Sequence, residues 1–241
     1  ADITKDRKVK TIAVTHTNND YGKGLADVYV AAVKAHGIKV TAVTAHEEGK
    51  GDYGAEVATL ASAGGDALAV LGYLDQAGGM IIQGSLDSGS FDTFVLSDGM
   101  IGDSLTDRFG KDLNKSFGSL PGSTGKGAGK FSEVAKAGGI DSSGPYTGES
   151  YDAAALITLA MQAGGKADRA TIQANVMDVA NAPGKKIYPG ELGKALDLLS
   201  KGKAVNYEGA TAVELTDVGE AFGSFIEKEI KGGKFKDKKQ R

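Results

Sequence analysis

Two tyrosines and an aspartate carry the most coherent chemistry in this sequence. Tyr21, Tyr73 and Asp98 each follow a short apolar run of strand length. A sheet that sets those runs side by side brings two phenolic hydroxyls and one carboxylate to a single edge. Together with the amides of a helix start at Gly22 to Gly24, these groups suit a small zwitterion, Asp98 pairing with its ammonium through charge-assisted hydrogen bonds. The set contains no nucleophile with an adjacent base, so it reads as a binding site.

Other reactive residues organise less well. His16, His36 and His46 show no metal or triad spacing, and His36 closes a helix, where a cation complements the dipole. Glu47-Glu48 and the pair Asp103 and Asp107 read as solvated carboxylates. Gly22-Lys-Gly24 follows a strand but lacks the third glycine of a dinucleotide fingerprint, and residues 122–130 miss the phosphate-loop pattern, with Phe131 where a hydroxyl would be needed. No cofactor and no metal is implied. An enzyme would have to use Asp98 as its acid or base.

Composition narrows the classes. With 28 Lys+Arg against 31 Asp+Glu the net charge is −3, which excludes a coat for nucleic acid. Cysteine is absent, removing disulfides and thiolate chemistry. No apolar run reaches the length of a membrane span, and Ala1 opens the chain without an initiator Met, as in a processed or trimmed product with no signal peptide in view. Glycine, 36 of 241 residues, is about twice its usual share, which implies many turns and helix ends.

The elements that must position the three residues follow from periodicity. Strands are expected at 11–15, 38–43, 67–71 and 93–96. Between them, Leu25, Val28, Tyr29, Ala32 and Val33 form one helical stripe, Asp52 caps a second helix with Val57, Leu60 and Ala61 inward, and a third runs from about Asp75 to Leu86. That order gives right-handed βαβ crossovers and an α/β, doubly wound parallel sheet. Residues 118–130 read as a flexible connector, and a helix from about Glu149 to Ala163 is apolar all round and should be buried. Two amphipathic helices follow, then strands at 206–215 and 223–230, and a Lys-rich solvated tail from Lys231 to Arg241. The domains expected are an α/β ligand-binding lobe at 1–120, a connector with helices at 121–203, and returning strands with a basic tail at 204–241.

These residues resemble the periplasmic solute-binding proteins of ABC transporters, of the branched-chain amino-acid type with the type I periplasmic binding fold. The matching stretches are Asn18-Asn-Asp-Tyr-Gly-Lys-Gly-Leu25, Gly72-Tyr73, Ser97-Asp-Gly99, Tyr151-Asp-Ala153 and Asn206-Tyr-Glu-Gly-Ala210. The resemblance implies two lobes joined by crossing strands and closing on an amino acid or similar solute. It implies that Tyr21 and Tyr73 contact the ligand's main-chain groups and that Asp98, where a familiar member has Glu, holds its α-ammonium. Tyr146 would line the side-chain pocket, with Glu149 a further contact.

The same resemblance implies a periplasmic, non-enzymatic protein whose partners are a small-molecule ligand and an ABC permease, with no nucleic acid and no embedding in the membrane. A ligand-sensing domain of a regulator or receptor on the same fold is the alternative. The family's opening segment, which builds most of the first lobe, has no counterpart in this chain. The chain would then hold one whole lobe and only helices of the other, incomplete one, at roughly 145–203. The apolar helix at 149–163 would then be disordered, packed on another chain, or part of a longer protein.

Overall fold

A computed structural model describes residues 1–241. α1 (Asp2–Asp6) leads into β1 (Thr11–Thr17), α2 (Asp20–Ala35), β2 (Lys39–His46), α3 (Gly54–Ala63), β3 (Ala67–Leu71), α4 (Gly79–Asp87), β4 (Phe94–Leu96), α5 (Asp103–Phe109) and β5 (Phe117–Pro121). Then come α6 (Lys126–Ala137), α7 (Thr147–Gly164), α8 (Arg169–Ala180), β6 (Lys185–Ile187), α9 (Leu192–Ser200), β7 (Val205–Tyr207), β8 (Glu214–Leu215), β9 (Ala221–Phe222), β10 (Phe225–Ile230) and β11 (Phe235–Gln240). The chain divides into two compact units, Ala1–Leu120 with Glu227–Lys239, and Pro121–Ile226 with Gln240–Arg241.

The first unit is built on a mixed, mostly parallel seven-stranded sheet of order β11-β10-β5-β4-β3-β1-β2. β1 pairs in parallel with both β2 and β3, and β3, β4 and β5 continue in parallel. The chain leaves β1 toward one edge through α2 and returns toward the other through α3, α4 and α5, which makes β1 and β3 the switch point. Every residue of β3 is buried because helices cover both faces. One face packs Leu60, Ile81, Ile82, Phe94 and Leu105, the other Ile12, Val14, Tyr29, Val33 and Phe117. Each such side chain contributes about 1.5–3 kcal/mol by leaving water.

Two expectations for this unit change. The buried stripe of α2 is Gly22, Ala26, Tyr29 and Val33, while Val28 is 69% exposed. The helix is turned so that the Tyr29 hydroxyl meets Thr4 Oγ1 at 2.9 Å. The Lys-rich tail is an edge strand, β11, in a hairpin with β10 closed by Lys231 N–H donating to the Lys234 carbonyl at 2.9 Å. An edge strand needs backbone partners on one side only, so it shows little apolar alternation, and its lysines discourage further pairing. Lys228 pairs with Asp237, and Lys238 with Glu227 at 3.4 Å.

The second unit has its own core, in which Leu156, Leu159 and Ala160 of α7 meet Val179, Ile187, Ala195, Val205 and Tyr207. α7 therefore has partners within its own unit, and it is buried along one face only, with Ile157 44% exposed. Its surplus alanines are strong helix formers that cost little when solvated. The glycine-rich stretch expected as a flexible connector is the end of β5, a short loop and the start of α6, and the chain passes from the first unit to the second within it. A Cβ at Gly127 would lie 2.0 Å from the Gly209 carbonyl, so glycine there permits a close helix contact that mimics linker composition. The strand expected at 206–215 is two short pieces: β7 pairs with β6 and β8 with β9, and β10 joins the large sheet.

Candidate ligand-binding site

The switch point places three strand ends side by side, and short local devices fix each one. After β1, Asn19 has an extended backbone, and its Oδ1 accepts from Gly22 N–H at 2.9 Å, capping α2 and setting Tyr21 in its first turn. After β3, Gly72 N–H donates to Ser97 Oγ at 3.3 Å, tying the residue before Tyr73 to the end of β4. After β4, Asp98 and Gly99 lie in a single tight turn.

These devices bring Tyr21, Tyr73 and Asp98 together. The Tyr21 hydroxyl donates to Asp98 Oδ1 at 2.6 Å, and the two tyrosine rings stack with centroids 5.3 Å apart and planes inclined by 23°. Asn19 Nδ2 donates to the Tyr73 hydroxyl at 3.4 Å. All three residues are partly exposed. Gly99 is required by closeness, since a Cβ there would stand 2.5 Å from the Gly72 carbonyl and 3.3 Å from the Tyr21 hydroxyl.

The Tyr21 phenol is pushed up to about 12, chiefly by burial and then by its hydrogen bond to Asp98. At neutral pH it is an uncharged donor to a carboxylate. Two apolar ring faces beside that carboxylate suit a ligand that brings a cationic donor.

The amides at the start of α2 are less available than their position suggests, because Gly22 N–H is spent on Asn19 Oδ1 and Lys23 N–H on the Asn19 carbonyl. Tyr146 and Glu149 belong to the second unit. Tyr146 has a left-handed backbone (φ 60°) at the entry to α7 and is 41% exposed, and Glu149 lies in the first turn of that helix.

The sequence offered Asn19 and Ser97 only inside the matching stretches, gave His46 no metal or triad spacing and read Glu48 as solvated, whereas Glu48 Oε1 is buried. Asn19 was findable as a cap three residues before Gly22. Thr15 Oγ1 lies 2.8 Å from His46 Nδ1, and His46 Nε2 lies 3.6 Å from Glu48 Oε1. That order of hydroxyl, imidazole and carboxylate is sealed from any substrate, Thr15 being fully buried and His46 1% exposed.

No family model matches the chain. Among solved structures, the leucine-binding protein LivK of Thermotoga maritima superposes with a TM-score of 0.76 at 19% identity, covering 98% of this chain and 62% of that one. The chain has the type I periplasmic binding-protein fold. The same fold is seen in LivJ of Streptococcus pneumoniae in complex with isoleucine (TM-score 0.70, 17% identity, 97% of this chain and 60% of that one). It recurs in a Rhodopseudomonas palustris solute-binding protein of an ABC transporter in complex with p-hydroxybenzoic acid (TM-score 0.72, 14% identity, 100% and 62%).

Two curated proteins match shorter stretches. The chemotactic signal transduction system substrate-binding protein BasB of Halobacterium salinarum is 40% identical over 73 residues, 30% of this chain and 18% of that protein. Leu/Ile/Val-binding protein homolog 3 of Brucella melitensis is 36% identical over 87 residues, 36% of this chain and 23% of that protein. The chain thus spans 62% of the Thermotoga maritima protein's length, and its matches to the two curated relatives cover smaller shares of theirs. No helix is long and apolar enough to cross a membrane.

Proposed function

We propose that this chain is the ligand-holding part of a periplasmic, non-enzymatic solute-binding protein that captures an amino acid or related small polar solute and passes it to an ABC permease. The observation that carries this reading is the stacked Tyr21–Tyr73 pair with Tyr21 hydrogen-bonded to Asp98, at the switch point of a binding-protein fold. Asp98 would hold the ligand's ammonium, and the tyrosines its main-chain groups. Tyr146 and Glu149 are proposed as side-chain contacts. A carboxylate in the crevice favours an amino acid over a ligand whose only charge is a carboxylate, by like-charge repulsion.

Calorimetry of the full-length protein against a panel of amino acids, amides and small carboxylates tests the reading. Binding of one or more amino acids is expected, with Asp98→Asn weakening it by about ten- to a hundredfold, the worth of a charge-assisted hydrogen bond. Absence of binding across the panel overturns the substrate class.

A second reading draws on the match to the chemotactic binding protein. On that reading the same crevice reports its ligand to a signal transducer. Affinity capture of partners with ligand present separates the two: recovery of a permease supports transport, and recovery of a transducer supports sensing.

A further inference from the structure

A buried polar chain runs beneath the three strand ends. It starts at Thr15 of β1, whose Oγ1 lies 2.8 Å from Nδ1 of His46 at the end of β2. On the far side of the imidazole, Nε2 faces Glu48 Oε1 at 3.6 Å, beyond hydrogen-bond length, and neither buried atom has another hydrogen-bond partner. Glu48 Oε2 accepts from the Ala77 amide at 2.9 Å. Ala77 belongs to the wide turn Leu74–Gly78 that directly follows Tyr73 and breaks the helix at Gln76 (φ −125°, ψ −140°). His46 Nε2 also sits against Gly72, where a Cβ would meet it at 3.1 Å.

The chemistry of this chain is constrained. A carboxylate only accepts, so Glu48 favours the imidazole tautomer with its proton on Nε2, and Nδ1 then accepts from the Thr15 hydroxyl. The other charged or titratable groups around the ring are Glu47 on the same loop, His16 on β1, and Glu56 on α3, which is paired with Lys50. Burial outweighs these carboxylates and holds His46 below the ordinary histidine range. The turn after Tyr73 also borders a cavity of about 620 Å³ lined by Tyr53, Leu74, Gln76 and Met80, so it has room to shift.

We propose that His46 and Glu48 are positioning residues for Tyr73: the chain Thr15–His46–Glu48–Ala77 sets the height of the turn after β3, and with it the stack of Tyr73 on Tyr21. The inference rests on the reading of Tyr73 as a ligand contact. Neutral His46 leaves the Nε2–Oε1 gap long. A proton on His46 turns it into a charge-assisted bond that draws Glu48, and the Ala77 turn with it, toward β2. Tyr73 is therefore expected to move with the charge on His46.

Fluorine NMR of the full-length, ligand-free protein labelled with fluorotyrosine tests this, the Tyr73 resonance being assigned with Tyr73→Phe. The resonance is expected to shift on acidification in one titration below the ordinary histidine range. The shift should vanish in His46→Gln and persist in His16→Gln. In parallel, calorimetry with L-leucine is expected to show Glu48→Ala weakening binding by about three- to tenfold, the usual size of coupling through a packed network, at a nearly unchanged melting temperature. Glu48→Gln, which keeps an acceptor for Ala77, should recover most of the affinity and serves if the alanine variant does not fold. A Tyr73 resonance that titrates identically in His46→Gln overturns the proposal, as does one indifferent to both Glu48 variants. If the unaltered protein fails to bind L-leucine, that probe of the functional reading fails while the NMR arm still decides the positioning role.

Discussion

Two tyrosine–aspartate hydrogen bonds, one in each unit, do different work. Tyr207 donates to Asp152 Oδ1 at 2.9 Å, and the same carboxylate accepts from Ala210 N–H at 2.7 Å, Thr211 N–H at 2.9 Å and Thr211 Oγ1 at 2.8 Å. Asp152 is 2% exposed and saturated with donors, so it locks the loop after β7 onto α7. Tyr21 and Asp98 make a shorter bond, at 2.6 Å, but both stay partly exposed at the strand ends. The same two side chains make a structural lock where solvent is excluded and, on the proposed reading, a ligand-holding pair where it is not. A glycine attends each pair, Gly209 packed on Asp152 and Gly99 beside Tyr21.

The sharpest way to break this contrast is to remove each carboxylate. Asp152→Ala leaves four donors without their acceptor and is expected to cost about 3–5 kcal/mol in urea denaturation, because the stranded groups stay buried. Asp98→Ala should cost at most about 1 kcal/mol of stability, its partly exposed partner being reachable by water. Equal losses at the two sites would erase the distinction.

Next come the glycines. Gly209→Ala forces a side chain into a left-handed backbone (φ 58°) with its Cβ 2.3 Å from Asp152 Oδ1, and about 2–3 kcal/mol of destabilisation is expected from strain and overpacking. Gly99→Ala should also cost stability, its Cβ meeting the Gly72 carbonyl at 2.5 Å, and should in addition lower ligand affinity in calorimetry by displacing the two stacked tyrosines.

The hydroxyls give a smaller effect. Tyr207→Phe should lower stability by about 1–1.5 kcal/mol, one net hydrogen bond. Tyr21→Phe should leave the denaturation midpoint nearly unchanged and weaken ligand binding.

Alkaline titration gives the smallest signal. Burial raises both phenols, Tyr21 to about 12 and Tyr207 further still. A phenol near about 10 when unfolded loses its proton before the native Tyr21 does, so the unfolded state binds fewer protons in that interval. The contribution of Tyr21 is therefore complete below about 10 and is lost as pH rises toward 12. Denaturation of Tyr21→Phe across that range should show a shallower decline than the unaltered protein.

Legibility followed the strength of each local signal. Ala67–Leu71, apolar at every position and bounded by glycines, reads as a covered strand, and the strand ends point to Tyr21, Tyr73 and Asp98. The stretch 118–130 misled because glycine serves close packing as well as linkers, and Gly127 is there for the first reason. Strand β11 was hidden because an edge strand pairs through its backbone on one side only, and its exposed lysines lack the apolar alternation that marks a strand. The partner of α7 was hidden because it is assembled from short elements spread over residues 172–213.

By itself the sequence determined the βαβ order and the three strand-end residues, because periodicity and connection handedness are local rules that restrict topology, while the strand order that makes β1 and β3 the switch point came from the fold. Only the tertiary structure decided what those residues do to one another. The Tyr21–Asp98 bond joins residues 77 apart and the Tyr207–Asp152 bond residues 55 apart. Whether such pairs touch at 2.6 Å, stack, saturate or stop at 3.6 Å as His46 and Glu48 do depends on placements of a few tenths of an ångström, which the packed core sets and no local pattern encodes.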